Sequence, residues 1–202
     1  MSSGDRDGAS TGAVLAGGRS SRMGTPKGAL ELAGRPLITY PIEALVAAGL
    51  APIVVAKEDS GLPQLDCPIV REPDQRLHPA AGVLAALEAT GGPVVVVACD
   101  MPFVPAQLLA VLARLSVPAA LPVLADRPQP LLAHYEPSVA SALERAVARN
   151  EPMREAVAAL DPVLLGPDEL AGFGDPDLIA FNVNDRDDLA AAEQFMTAGS
   201  PR

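Results

Sequence analysis

The run Pro93-Val-Val-Val-Val-Ala-Cys99, closed by Asp100, constrains the fold of this 202-residue chain more than any other stretch. Four consecutive β-branched residues carry neither a helical stripe nor an in-out alternation. They need apolar cover on both faces, which is the situation of a central strand in a parallel sheet flanked by helices. A carboxylate then stands at the carboxyl end of that strand, where open α/β sheets bind their ligands.

The rest of the chain reads as the surroundings such a strand needs. Strands are expected over Thr11–Leu15, Pro52–Ala56, Cys67–Val70, Ala119–Leu124, Leu131–Tyr135 and Ile179–Val183. Helices are expected over Pro36–Gly49, Pro79–Ala89, Pro105–Leu115, Ser138–Arg149, Pro152–Leu160 and Asp185–Met196, the last with Asp185 as its N-cap. This alternation implies an α/β fold, a three-layer α/β/α sandwich around a mostly parallel sheet. One domain over residues 11–196 is expected, with flexible ends at 1–10 and 197–202.

Composition narrows the function. Twenty-five Asp and Glu against fifteen Lys and Arg give a net charge of -10, the opposite of a nucleic-acid-binding surface. The longest mainly apolar stretch, Ala44–Ala56, is broken by Gly49 and Pro52 and is shorter than the ~20 residues of a membrane span. No apolar signal-peptide core is present at the start, so the expectation is a soluble cytoplasmic protein. Cys67 and Cys99 have neither disulfide-framework nor metal spacing and are expected to be buried apolar residues. His78 and His134 are expected to be structural or surface residues.

Against this acidic background, Leu15-Ala-Gly-Gly-Arg-Ser-Ser-Arg-Met-Gly-Thr-Pro-Lys27 is a basic island directly after the first expected strand. Arg19, Arg22 and Lys27 fall within nine residues that hold no acid. Gly17 and Gly18 allow backbone N–H groups to approach a phosphate or base closely. The loop is neither a P-loop, because Lys27 follows Pro26, nor a dinucleotide fingerprint. Its glycines and cations suit a nucleoside triphosphate. Asp100 suits Mg²⁺, which takes one or two carboxylates and completes its shell with phosphate oxygens and water. The polar cluster Asn182/Asn184 is expected to join the same crevice.

Taken in order, the Leu15–Gly24 loop, Lys27, Cys99-Asp-Met-Pro-Phe-Val-Pro105, Gln129-Pro-Leu131 and Phe181-Asn-Val-Asn184 resemble the molybdenum cofactor guanylyltransferases, from Gly12 to about Glu193. The resemblance implies a Rossmann-like fold and transfer of GMP from GTP to the terminal phosphate of molybdopterin, with release of pyrophosphate. It implies Mg²⁺ at Asp100 and nucleotide contacts from Leu15, Ala16, Gly17, Gly18, Lys27, Asp74, Gly82 and Asp100. Arg19, Arg22, Lys27 and Asp100 would serve catalysis, and Asn182 and Asn184 the pterin side. Transient contacts with proteins that deliver molybdopterin or receive the product are implied too. The Gly17-Gly18 pair is like the guanylyl version of the loop, where cytidylyl relatives have Ala-Gly. The chain departs from the family at Ala56, where an asparagine is usual. It departs again at His78-Pro-Ala-Ala-Gly82, where Gly-Pro-Leu-Ala-Gly is usual, and Glu72 rivals Asp74 for an expected aspartate. A pterin cytidylyltransferase, another small-molecule nucleotidyltransferase and a nucleotide-binding protein without turnover are the alternatives.

Overall fold

The computed structural model describes residues 9–17, 29–72 and 78–198. The strands are β1 (Thr11–Leu15), β2 (Glu31–Leu32), β3 (Arg35–Pro36), β4 (Ala51–Ala56), β5 (Ile69–Arg71), β6 (Val94–Ala98), β7 (Ala119–Leu124), β8 (Arg127–Pro128), β9 (Leu132–Tyr135) and β10 (Val163–Leu165). The helices are α1 (Thr39–Ala47), α2 (Pro79–Thr90), α3 (Ala106–Ala113), α4 (Ala140–Arg149), α5 (Met153–Ala158), α6 (Pro167–Leu170), α7 (Pro176–Ile179) and α8 (Arg186–Ala198).

The main sheet runs β10-β7-β9-β6-β1-β4-β5, with β8 paired to β7. The β-branched run is its middle: every residue of β6 is buried. β1 lies parallel between β6 and β4, and β5 extends the parallel half. β9 enters antiparallel between β6 and β7, so the sheet is mixed on its other side. Two apolar cores cover the faces. One packs Val14, Val54, Val95 and Val97 against Leu45 of α1 and Leu108, Leu109 and Leu112 of α3. The other packs Ala13, Val55, Val94 and Val96 against α2 and α4. These are the three layers that the alternation of elements implies.

The chain leaves β1 toward β4 and β5 and then returns to β6 on the opposite side of β1. The order therefore reverses between β1 and β6, which opens a crevice outside their carboxyl ends.

Two expected elements are corrected. The helix expected from Pro36 begins at Thr39, because Arg35–Pro36 instead pairs antiparallel with Glu31–Leu32 in a small hairpin. The strand expected over Ile179–Val183 does not form. Ile179 ends α7, and the following residues form an irregular strap whose Val183 N–H donates to the Asp100 carbonyl at 2.9 Å. Cys99 is buried as expected, whereas Cys67 is only partly covered.

Candidate active site

A cleft of about 640 Å³ opens at the reversal point. Its parts follow from the strand ends. β1 delivers Leu15 and Gly17, β4 delivers Val55 and Lys57, β6 delivers Asp100, and the chain after β5 delivers Glu72. Backbone bonds tie these segments together: Ala16 N–H to Val55 O at 2.8 Å, Glu72 N–H to Ala56 O at 2.9 Å, and Cys99 N–H to Leu15 O at 3.1 Å.

At one end, Glu72 and Lys57 form an ion pair at 3.6 Å, with side chains only 6% and 13% exposed. Glu72 Oε2 lies against Gly17, so close that a β-carbon on residue 17 would overlap it. Gly17 is thus a glycine because a carboxylate occupies the space of a side chain. Gly82 lies opposite, where a β-carbon would make ordinary contact with Leu15 at 3.5 Å. His78 fixes this wall. Its Nδ1 accepts from Ala80 N at 3.1 Å and caps α2, which leaves the proton on Nε2, 2.6 Å from the Glu151 carbonyl. The second contact ties α2 to the turn before α5.

At the other end, Asp100 and Asn182 share the cleft with Gln129, Pro130, Met153 and Arg154. Asp100 does not cap α3, whose N-cap is Pro105 with no side-chain bond. Asn182 is held by its amide, which donates to Ala180 O at 2.6 Å. Asn184 directly follows Val183 on the strap. Its amide donates to the Asn182 carbonyl at 3.2 Å and its backbone N–H to Asp188 at 2.8 Å, so it braces the strap. Asp185 caps α8, accepting from the N–H groups of Asp187 and Asp188 at 3.0 Å each.

Of the site residues read from sequence, the cleft gathers Leu15, Gly17, Gly82, Asp100 and Asn182, and Ala16 is buried beside it. Gly18, Arg19, Arg22, Lys27 and Asp74 lie outside the described residues. Glu72, the rival acid, lines the cleft. Lys57 and Arg154 were not singled out from sequence. Lys57 carries the same signal as Asp100, a charged residue just past the carboxyl end of an inner strand. Arg154 sits in the first turn of a short helix and carries no comparable signal.

The described residues include no group of three His, Cys, Asp or Glu side chains able to cage a metal. A single carboxylate at the cleft mouth is nonetheless the donor set that Mg²⁺ uses when phosphates and water supply the rest. Among the described residues, Asp100 therefore fits Mg²⁺ delivered with a nucleotide.

Residues 12–163 match the model of the MobA-like NTP transferase domain. A probable molybdenum cofactor guanylyltransferase of Chloroflexus aggregans is 34% identical over 197 residues, covering 92% of this chain and 94% of its own. A molybdenum cofactor guanylyltransferase of Serratia proteamaculans is 35% identical over 191 residues, covering 91% and 94%. Among solved structures, molybdopterin-guanine dinucleotide biosynthesis protein A from Archaeoglobus fulgidus superposes with a TM-score of 0.80 at 29% identity, covering 93% of this chain and 99% of its own.

Proposed function

The chain belongs to the MobA-like NTP transferase family and is a nucleotidyltransferase, and on that premise we propose that it transfers GMP from GTP to the terminal phosphate of molybdopterin and releases pyrophosphate. The observation that carries this reading is the two-ended cleft. A buried Glu72–Lys57 pair stands beside Gly17 at one end and Asp100 with Asn182 at the other.

In this reading the base and ribose lie between Gly17, Glu72 and Gly82. Guanine offers adjacent N1–H and N2–H donors, which suit a carboxylate acceptor, and its O6 suits an ammonium. Cytosine presents one amino donor beside two acceptors and matches the pair less well. The triphosphate runs toward Asp100, and the cations Arg19, Arg22 and Lys27 of the preceding loop neutralise it. Asp100 would hold Mg²⁺, which would supply charge withdrawal from the phosphate oxygens.

The acceptor approaches from the side of Asn182 and Arg154. Its phosphate oxygen attacks the α-phosphorus, a P–O bond forms there, and the bond to the β-phosphate breaks as pyrophosphate leaves. A phosphate nucleophile is already ionised, so no general base is needed, and the protein's part is positioning and charge stabilisation. That requirement agrees with a cleft whose only histidine is committed to capping α2.

The test is pyrophosphate release by the purified chain with Mg²⁺, molybdopterin and GTP or CTP in separate reactions. Release with GTP at least tenfold above CTP is expected. A CTP preference would transfer the reading to the cytidylyl reaction, and no release with either would leave a binding protein.

A further inference from the structure

Three of the four phenylalanines of the chain stand together outside the cleft. Phe103 and Phe181 have ring centroids 6.0 Å apart. Phe195 of α8 closes the triangle, edge-on to both, at 6.1 Å from Phe103 and 5.4 Å from Phe181. Phe103 and Phe181 pack against a small third core of Leu30, Leu32, Leu37, Val183 and Ala192, separate from the two that cover the sheet.

Two of the segments that enter this small core also supply the cleft: Phe103 lies three residues after Asp100, and Phe181 directly precedes Asn182. The Asp100 turn and the Asn182 strap share one backbone bond, Val183 N–H to Asp100 O. The strap has no strand ladder to fix its height, because the expected strand there does not form. Edge-to-face aromatic packing is directional, so the three rings supply orientation that aliphatic contact would not.

We propose that Phe195 is a positioning residue for nucleotidyl transfer: it clamps Phe103 and Phe181 and thereby sets the distance between Asp100 and Asn182 at their end of the cleft. The inference rests on the functional reading above. Phe195 is 45% exposed, whereas Val183 and Ala192 of the adjoining core are fully buried. Its ring therefore contributes less to global stability than theirs, while both of its aromatic partners flank residues of the site. α8 acts as a latch over the Asp100 turn and the strap, and Phe195 is its aromatic contact.

The experiment compares the full-length wild type with Phe195→Ala, Phe195→Tyr and, as a control of similar exposure, Val46→Ala on α1. Hydrogen exchange on the nucleotide-free proteins reads the positioning without any turnover. Phe195→Ala is expected to speed exchange at the Val183 amide and over residues 101–104 by about tenfold, with β1 and β4 unchanged. In pyrophosphate release, its kcat is expected to fall about tenfold and its Mg²⁺ requirement to rise severalfold, with KM for GTP within twofold. Phe195→Tyr keeps the ring, can turn its hydroxyl to solvent, and is expected to restore both readouts; Val46→Ala changes neither. Faster exchange throughout the protein, or a lower melting temperature with exchange and kcat at these segments unchanged, overturns the proposal. If the wild type releases no pyrophosphate, the functional reading fails, and the rings' hold on Asp100 and Asn182 is still decided by exchange.

Discussion

Glu72 Oε2 occupies the space that a side chain on Gly17 would need. The carboxylate is drawn there by Lys57 on one side and by the backbone bond of Glu72 to Ala56 on the other. A methyl group at residue 17 must displace it, and a displaced Glu72 leaves Lys57 in a largely desolvated place without that partner. Gly17→Ala is therefore expected to raise KM for GTP by ~10-fold or more, on the scale of one charge-assisted hydrogen bond. Steady-state kinetics with GTP as the varied substrate checks it. A KM equal to wild type would mean that Glu72 can move aside without consequence.

The companion change is Glu72→Gln. It keeps the shape and one acceptor oxygen but replaces the other with a donor, which would face the guanine N1–H or N2–H. We expect discrimination between GTP and CTP to narrow by about tenfold, roughly 1.4 kcal/mol, read as the ratio of kcat/KM values. An unchanged ratio would remove Glu72 from base selection and leave it as the partner of Lys57.

Asp100 acts on structure and chemistry through different atoms. Its carbonyl holds Val183, while its carboxylate borders the cleft. Asp100→Ala preserves the first and removes the second. Turnover is expected to fall ~10²-fold or more, the loss seen when one stabilising group is taken from a transition state, with a melting temperature within a few degrees of wild type. Parallel thermal melts and single-turnover rates separate the two roles. A turnover loss below threefold would exclude this carboxylate as the metal ligand.

These changes also mark what the amino-acid order reveals. β1 and β6 were legible because a strand buried through its middle or throughout writes that burial into consecutive apolar residues, and the glycine or charged residue that follows each marks the ligand edge. The strap at Ile179–Val183 was misread because its apolar residues alternate like a strand. They alternate for another reason: Ile179 enters the core beneath α3 and Val183 the aromatic core, with no ladder partner between them. Glu72 could be weighed only as a rival to Asp74, because the spacing after β5 does not say which acid turns inward. The pairing of Glu72 with Lys57 is a contact between two loops, which no local pattern records.

His78 joins two walls of the cleft, and its loss is expected to be felt in both stability and binding. His78→Ala removes the N-cap of α2 and the tie to Glu151. The cap alone is worth ~0.5–2 kcal/mol. His78→Asn restores the cap without the reach to Glu151. The expected order of urea midpoints is wild type, then Asn, then Ala, and KM for GTP should rise in both variants because Pro79 and Gly82 border the nucleotide end. If Asn matched wild type in both measurements, the tie to Glu151 would carry nothing.

His134 makes the fold itself sensitive to pH. It lies on β9, fully buried, and among the described residues neither ring nitrogen has a hydrogen-bond partner of normal geometry. Burial pushes its pKa below the usual imidazole value, outweighing Glu136 and the nearby carbonyls of Val117 and Leu112, which favour the cation. The folded state thus binds the proton less readily than the unfolded chain. Its contribution to stability is complete above the unfolded pKa of about 6.5. It is lost as pH falls from there toward the folded value, with a slope of up to about 1.4 kcal/mol per pH unit. His134→Leu removes this titration. Urea midpoints measured from pH 8 to pH 5 are expected to fall more steeply for the wild type than for the variant below pH 6.5, and to run parallel above it. Parallel curves across the whole range would mean that the ring is protonated as easily inside the protein as outside.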